Sequence, residues 1–130
     1  MLRRCPRAWI DAIGLLRDHR LAFAGWSSTW DGAVATVVPK PGALVQGVLY
    51  GLDDASLAAL DRHEGHPKIY RRQTVTIDVA GQRPRSAHVY CLSPYLPAAQ
   101  PGTRYFLTIM RAYRELGFDE EPLFRAVLGL

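Results

Sequence analysis

The sequence predicts an α+β domain, a small and mostly antiparallel β-barrel with flanking helices. Three observations predict it. The first half of the chain is built of short apolar and β-branched runs separated by turn residues. Between Asp53 and Gly65 the apolar spacing changes to that of a helix. Near the C-terminus, Tyr105, Ile109, Ala112 and Leu116 recur at i, i+4, i+7 and i+11, a second helical stripe.

In chain order, Asp11 to Gly25 carries Ile13, Leu15 and Leu16, then Leu21, Ala22 and Phe23, interrupted by Asp18-His19. That suits two strands or one bent strand. Ala33 to Val38 is a β-branched run that stops at Pro39-Lys40-Pro41-Gly42, a turn signal. Leu44 to Tyr50 is the next strand. Asp53 or Asp54 can cap a short helix whose apolar face holds Leu57 and Leu60. Gly65 and then Pro67 end it, leaving Glu64 at its last position. Val75, Ile77 and Val79 alternate with polar neighbours as in a half-buried strand. Gly81-Gln82 turns the chain, and Ala87 to Leu92 is the last strand. A proline-bearing loop covers Ser93 to Gly102, Gly117 ends the C-terminal helix, and Glu121 to Leu128 forms a final turn or two.

A length of 130 residues suits a single domain, spanning 1–130, that can bury a core without staples. No apolar run approaches the ~18 to 20 residues that cross a bilayer, so no membrane association is expected. Arg3, Arg4 and Arg7 are followed by no apolar signal segment, and Cys5 and Cys91 make no disulfide framework. A reducing cytoplasm is the expected location. The net charge of +4 comes mostly from arginines scattered along the chain. Nucleic-acid binding would want them on one face among aromatics, so none is expected, whereas an anionic small substrate suits a mildly positive field.

Among residues able to do chemistry, Glu64 stands out. It ends an apolar helix face and opens an irregular loop, a position that aims side chains into clefts. A carboxylate in a partly apolar pocket can act as base and acid near neutrality. From spacing alone, a solvated loop glutamate is the plainer reading. His63 and His66 flank it, but the helical HExxH spacing is absent, so no metal site is expected. Ser27, Ser28, Ser93 and Cys91 sit in no nucleophile elbow, and no glycine-rich nucleotide motif occurs. The tyrosines and tryptophans read mostly as core or pocket wall.

Four stretches resemble the γ-glutamylcyclotransferase family, including its AIG2-like branch. Trp30 to Val37 is similar to the family's W-x-G-G-x-A-T strand, and Gln46 to Tyr50 to its W-G-V-h-Y strand, with Gln46 where Trp is common. Leu60-Asp61-Arg62-His63-Glu64-Gly65, followed by Tyr70-Arg71-Arg72, matches L-D-x-x-E-G and then Y-x-R, the most specific element. Pro101-Gly102-Thr103-Arg104-Tyr105 resembles P-S-x-x-Y, with Gly102 where the pattern has Ser. Each stretch alone is weak, and their order and spacing carry the resemblance from Pro6 onward.

The resemblance implies that Glu64 is the catalytic acid/base, that Tyr105 contacts the substrate and that Tyr70 lines the pocket. It implies release of 5-oxoproline from a γ-glutamyl amide, with no cofactor, and a pocket around Tyr70 and Tyr95 whose size selects the substrate. The family's Y-G-S-N loop, which follows its first strand, has no counterpart in these 130 residues. The residues from Met1 correspond to a helix shortly after that loop. The expectation is therefore an N-terminally truncated domain, poorly active alone. A non-catalytic barrel that binds a small molecule or a partner is the competing expectation. Oligomeric state is not legible.

Overall fold

The chain is described by a computed structural model over residues 8–130. Arg3, Arg4, Arg7, Cys5 and the helix expected from Met1 lie outside the described residues. The elements are β1 (Trp9–Ser27), β2 (Gly32–Gly51), α1 (Asp54–Glu64), β3 (Arg71–Asp78), β4 (Arg85–Cys91), α2 (Thr103–Leu116) and α3 (Glu121–Val127). The strands form one four-stranded sheet in the order β2-β1-β3-β4. β1 pairs antiparallel with β3, and β3 with β4. β1 and β2 are neighbours joined by a short turn, which only antiparallel strands allow. The α+β class and the antiparallel sheet are as the sequence predicts.

Asp11 to Gly25 belongs to one strand, bent at Asp18, whose φ is 58°, the second of the two arrangements that segment allows. The turn expected at Pro39 to Gly42 is not one: β2 runs through it. β2 ends the sheet order, and an edge strand tolerates prolines because the missing N–H can face outward. Gly42, with φ of 83°, absorbs the bend, and its N–H donates to Asp18 Oδ1 at 2.9 Å.

The chain divides into two compact units, each assembled from two separate segments. One comprises the described residues up to Arg17 together with Gln46–Cys91. The other comprises Asp18–Val45 together with Leu92–Leu130.

In the first unit, Leu60 of α1 is 3% exposed and packs with Ala8, Leu52 and Tyr90. β3 and β4 are paired along their lengths, from Arg71↔Cys91 to Ile77↔Arg85. Arg17 pairs with Asp78, and Arg85 with Asp11.

In the second unit, Phe23 and Leu123 are fully buried and form the core with Leu21, Ala33 and Ala126. Phe23 meets Tyr105 and Phe106 edge-on, with ring centroids at 6.3 and 6.4 Å. α2 faces this core through Tyr105, Phe106, Ile109, Met110 and Tyr113. The predicted stripe is therefore right at its start and drifts at its end. Ala112 and Leu116 are exposed, because the bulkier Phe106, Met110 and Tyr113 turn the buried face. The loop before α2 is held by backbone bonds: Ala99 N–H to Phe23 and Ala33 N–H to Gln100, both at 3.0 Å. A side chain on Gly102 would meet the Trp30 carbonyl at 2.2 Å. This close approach explains why glycine stands at that position in place of serine.

Candidate active site

α1 is defined at both ends by its own sequence. Asp53 caps it, its carboxylate accepting from Ser56 N–H at 2.7 Å. At the other end Gly65 takes φ of 70°, a conformation costly for any residue with a Cβ. Gly65 N–H donates to Arg62 O at 3.2 Å and His66 N–H to Asp61 O at 2.9 Å. These two bonds are a Schellman closure, with Glu64 as the last helical residue. Glu64 is half-buried, and its carbonyl accepts from Tyr70 N–H at 3.3 Å. Glu64 and Tyr70 lie in one unit, joined by that backbone bond. Tyr105 belongs to the other.

Next to Glu64 lies a polar cluster that sequence reasoning missed. Asp61 Oδ2 is 3.0 Å from Arg72 Nη1, and both side chains are half-buried. Tyr90 donates its hydroxyl to the other Asp61 oxygen. Arg72 N–H donates to His66 Nδ1 at 3.0 Å, so that ring nitrogen is an acceptor and the proton sits on Nε2. Burial pushes the Tyr90 phenol well above its ordinary value of 10, and the bond to Asp61 and the charges of Asp61 and Glu64 add to this, against Arg72. The phenol therefore stays protonated and keeps donating. Two of the missed residues were in view: Asp61 and Arg72 stand inside the L-D-x-x-E-G and Y-x-R patterns. Nothing local pointed to Tyr90, which joins them from β4.

In the second unit the Tyr105 hydroxyl accepts from Ala35 N–H at 2.8 Å. Its ring lies 5.2 Å from that of Trp30, over which Arg104 stacks at 5.0 Å. Arg104 also donates to Thr29 O at 3.0 Å. Thr36 is buried and its hydroxyl oxygen accepts from Leu92 N–H at 2.9 Å. The alanine and threonine of the W-x-G-G-x-A-T-like strand thus receive distant parts of the chain: Ala35 the tyrosine of the P-S-x-x-Y-like segment, and Thr36 the backbone of Leu92.

The other candidates are accounted for differently. Ser27 and Ser93 accept backbone N–H groups of Trp30 and Tyr95, both at 3.3 Å, in local turns. Cys91 is buried. Tyr95 is 93% exposed. Among the described residues no three His, Cys, Asp or Glu side chains gather as metal ligands, and no helix is long and apolar enough to cross a membrane.

Fold and site together define a class: a small α+β protein carrying a carboxylate at a capped helix end, beside a tyrosine–arginine cluster. Comparison with known proteins narrows it. The family model described as gamma-glutamyl cyclotransferase, AIG2-like, matches residues 5–107, and the chain belongs to that family. It is 28% identical over 123 residues to the gamma-glutamylcyclotransferase of Bos taurus, covering 91% of this chain. It is 28% identical over 125 residues to that of Homo sapiens, with the same coverage. The match spans 65% of the length of each of these relatives, just under two thirds. A solved gamma-glutamyl cyclotransferase superposes with a TM-score of 0.85 at 25% identity, over 96% of this chain and 76% of the other.

Proposed function

We propose that this chain is an enzyme of the gamma-glutamyl cyclotransferase type, releasing 5-oxoproline from a γ-glutamyl amino acid or amine, with Glu64 as its acid/base. The observation that carries the reading is the placement of Glu64 as the last residue of a Schellman-closed helix, half-buried beside Tyr70. On the family pattern, Tyr70 lines the pocket and Tyr105 contacts the substrate.

The reaction is an internal transfer. The substrate's α-amine attacks its own γ-carbonyl, a C–N bond forms within a five-membered ring, and the original amide C–N bond breaks. Nucleophile and electrophile share one molecule, so holding the folded conformer supplies much of the rate. Glu64 takes the proton that the α-ammonium must lose and delivers it to the departing nitrogen. No water, cofactor or metal enters that balance. Such acid–base catalysis contributes roughly 10²- to 10⁴-fold. The developing oxyanion needs N–H or O–H donors as well. The same reading takes the domain to be cytoplasmic and to act on a small molecule, without nucleic acid.

The test is 5-oxoproline release from γ-glutamyl-alanine and a panel of γ-glutamyl amino acids and amines, with wild type beside Glu64→Gln. Turnover that the variant loses, with its melting temperature kept, supports the reading. Undiminished turnover in Glu64→Gln removes that residue from the mechanism. Calorimetric binding of a γ-glutamyl dipeptide without product would instead favour a binding domain without chemistry.

A further inference from the structure

The ends of α1 and α2 are closed by the same backbone bonds but secured differently. At α2, Gly117 N–H bonds Arg114 O and Phe118 N–H bonds Tyr113 O, at 3.2 and 2.9 Å. The side chains of that outer pair, Tyr113 and Phe118, meet edge to face at 5.5 Å, the apolar contact that usually accompanies this closure. At α1 the equivalent pair is Asp61 and His66, both polar. There Arg72, near the start of β3, holds both: its guanidinium bonds the Asp61 carboxylate and its backbone N–H bonds the His66 ring, each at 3.0 Å. Tyr90, from β4, occupies the remaining Asp61 oxygen. Glu64 is enclosed between the two clasped residues in sequence, and Tyr90 feels its charge.

We propose that Asp61 and Arg72 are positioning residues that clasp the end of α1 to β3, and so set the direction of the Glu64 carboxylate. This rests on the assignment of Glu64 as acid/base. An apolar contact like that of α2 can slide. A carboxylate held by one arginine and one phenol, on a turn whose backbone is bonded to the same arginine, has far fewer arrangements. General acid–base catalysis needs that restriction, because small misplacements of a catalytic group cost large factors in rate. The clasp also unites the L-D-x-x-E-G and Y-x-R segments, since Asp61 and Arg72 bond each other while Glu64 does the chemistry.

The experiment uses Asp61→Asn, Arg72→Met and the double variant of the full chain, with Asp11→Asn as control. For 5-oxoproline release the clasp predicts kcat lowered about 10- to 100-fold in each single variant, with KM within about two-fold. The double variant should be no worse than the worse single one, because the pair acts as a unit. Asp11→Asn, which breaks a surface ion pair of the same unit, should keep wild-type turnover. In parallel, amide hydrogen exchange should quicken at Tyr70 and Arg72 in Asp61→Asn while the β3–β4 ladder keeps its protection. Unchanged kcat, a loss carried by KM, or unchanged exchange at those two amides would overturn the proposal. Where Asp61→Asn fails to fold, Tyr90→Phe removes one of the two Asp61 bonds and is read the same way. Should wild type turn over no γ-glutamyl compound, the acid/base assignment falls, and the exchange measurement by itself decides whether the clasp exists.

Discussion

The amide of Gly42 donates to the carboxylate of Asp18 at 2.9 Å, and both residues have positive φ, 83° and 58°. The two longest strands therefore bend where they are tied to each other. An aspartate accepts this backbone more readily than most residues, and its short side chain reaches the Gly42 N–H.

Asp18→Asn should keep both the backbone preference and an acceptor, changing stability by less than about 0.5 kcal/mol. Asp18→Ala loses the acceptor and strains the backbone, at a combined cost of about 1–3 kcal/mol. Urea denaturation of the two variants checks this. Equal midpoints would mean that the tie between the bends adds nothing to stability.

Gly65→Ala should destabilise by about 1–2 kcal/mol, from positive φ alone. The new methyl would also lie 3.1–3.2 Å from Ile69. Because Glu64 immediately precedes this turn, the proposed 5-oxoproline release should fall by more than the unfolded fraction explains. Thermal melts and kinetics on the same sample separate the two effects.

Tyr105→Phe keeps the ring against Phe23 and Trp30 but removes the oxygen that accepts from Ala35 N–H. A stability loss of about 1–2 kcal/mol is expected from calorimetry. If Tyr105 also contacts the substrate, KM rises as well. A variant as stable as wild type, with unchanged KM, would deny the hydroxyl both roles.

Two half-buried phenols should contribute to the alkaline limb of stability. Burial raises Tyr90 and Tyr113 above their ordinary value of 10, Tyr90 with help from Asp61. A group with a raised folded-state pKa contributes stability that is complete below the unfolded value and is lost as pH rises through the folded one. Stability should therefore hold up to about pH 10 and fall above it, and Tyr90→Phe should flatten the fall. Denaturant midpoints measured across that range, with phenolate absorbance near 295 nm, test the assignment.

What could be read from the residues was whatever is local. Asp53, Leu60 and Gly65 announce α1 and its two ends. The alternation at Val75, Ile77 and Val79 announces β3. Gly117 announces the end of α2. Glu64 could be singled out for the same reason: its setting is made by its immediate neighbours. Pro39, Pro41 and Gly42 misled, because their local preference for a turn is overridden by an edge position in the sheet and a bond from a residue 24 positions away. The Asp61–Arg72–Tyr90 cluster was illegible as geometry. Its members come from a helix and two strands, and no spacing rule relates positions 61, 72 and 90.

The interleaving of the two units has a consequence for the newborn chain. A ribosome that has just added Cys91 has supplied every residue of the first unit, Glu64, Arg72 and Tyr90 included. By then Leu21, Phe23 and Ala33 have been synthesised for a core whose other half, from Tyr105 to Ala126, does not yet exist. These apolar side chains must wait through about thirty-five further additions, at about 5–20 residues per second. The second unit is therefore the part most exposed to sticking and chaperone capture during synthesis. Mutations that slow its closure should lower yield in cells more than they lower stability in the test tube.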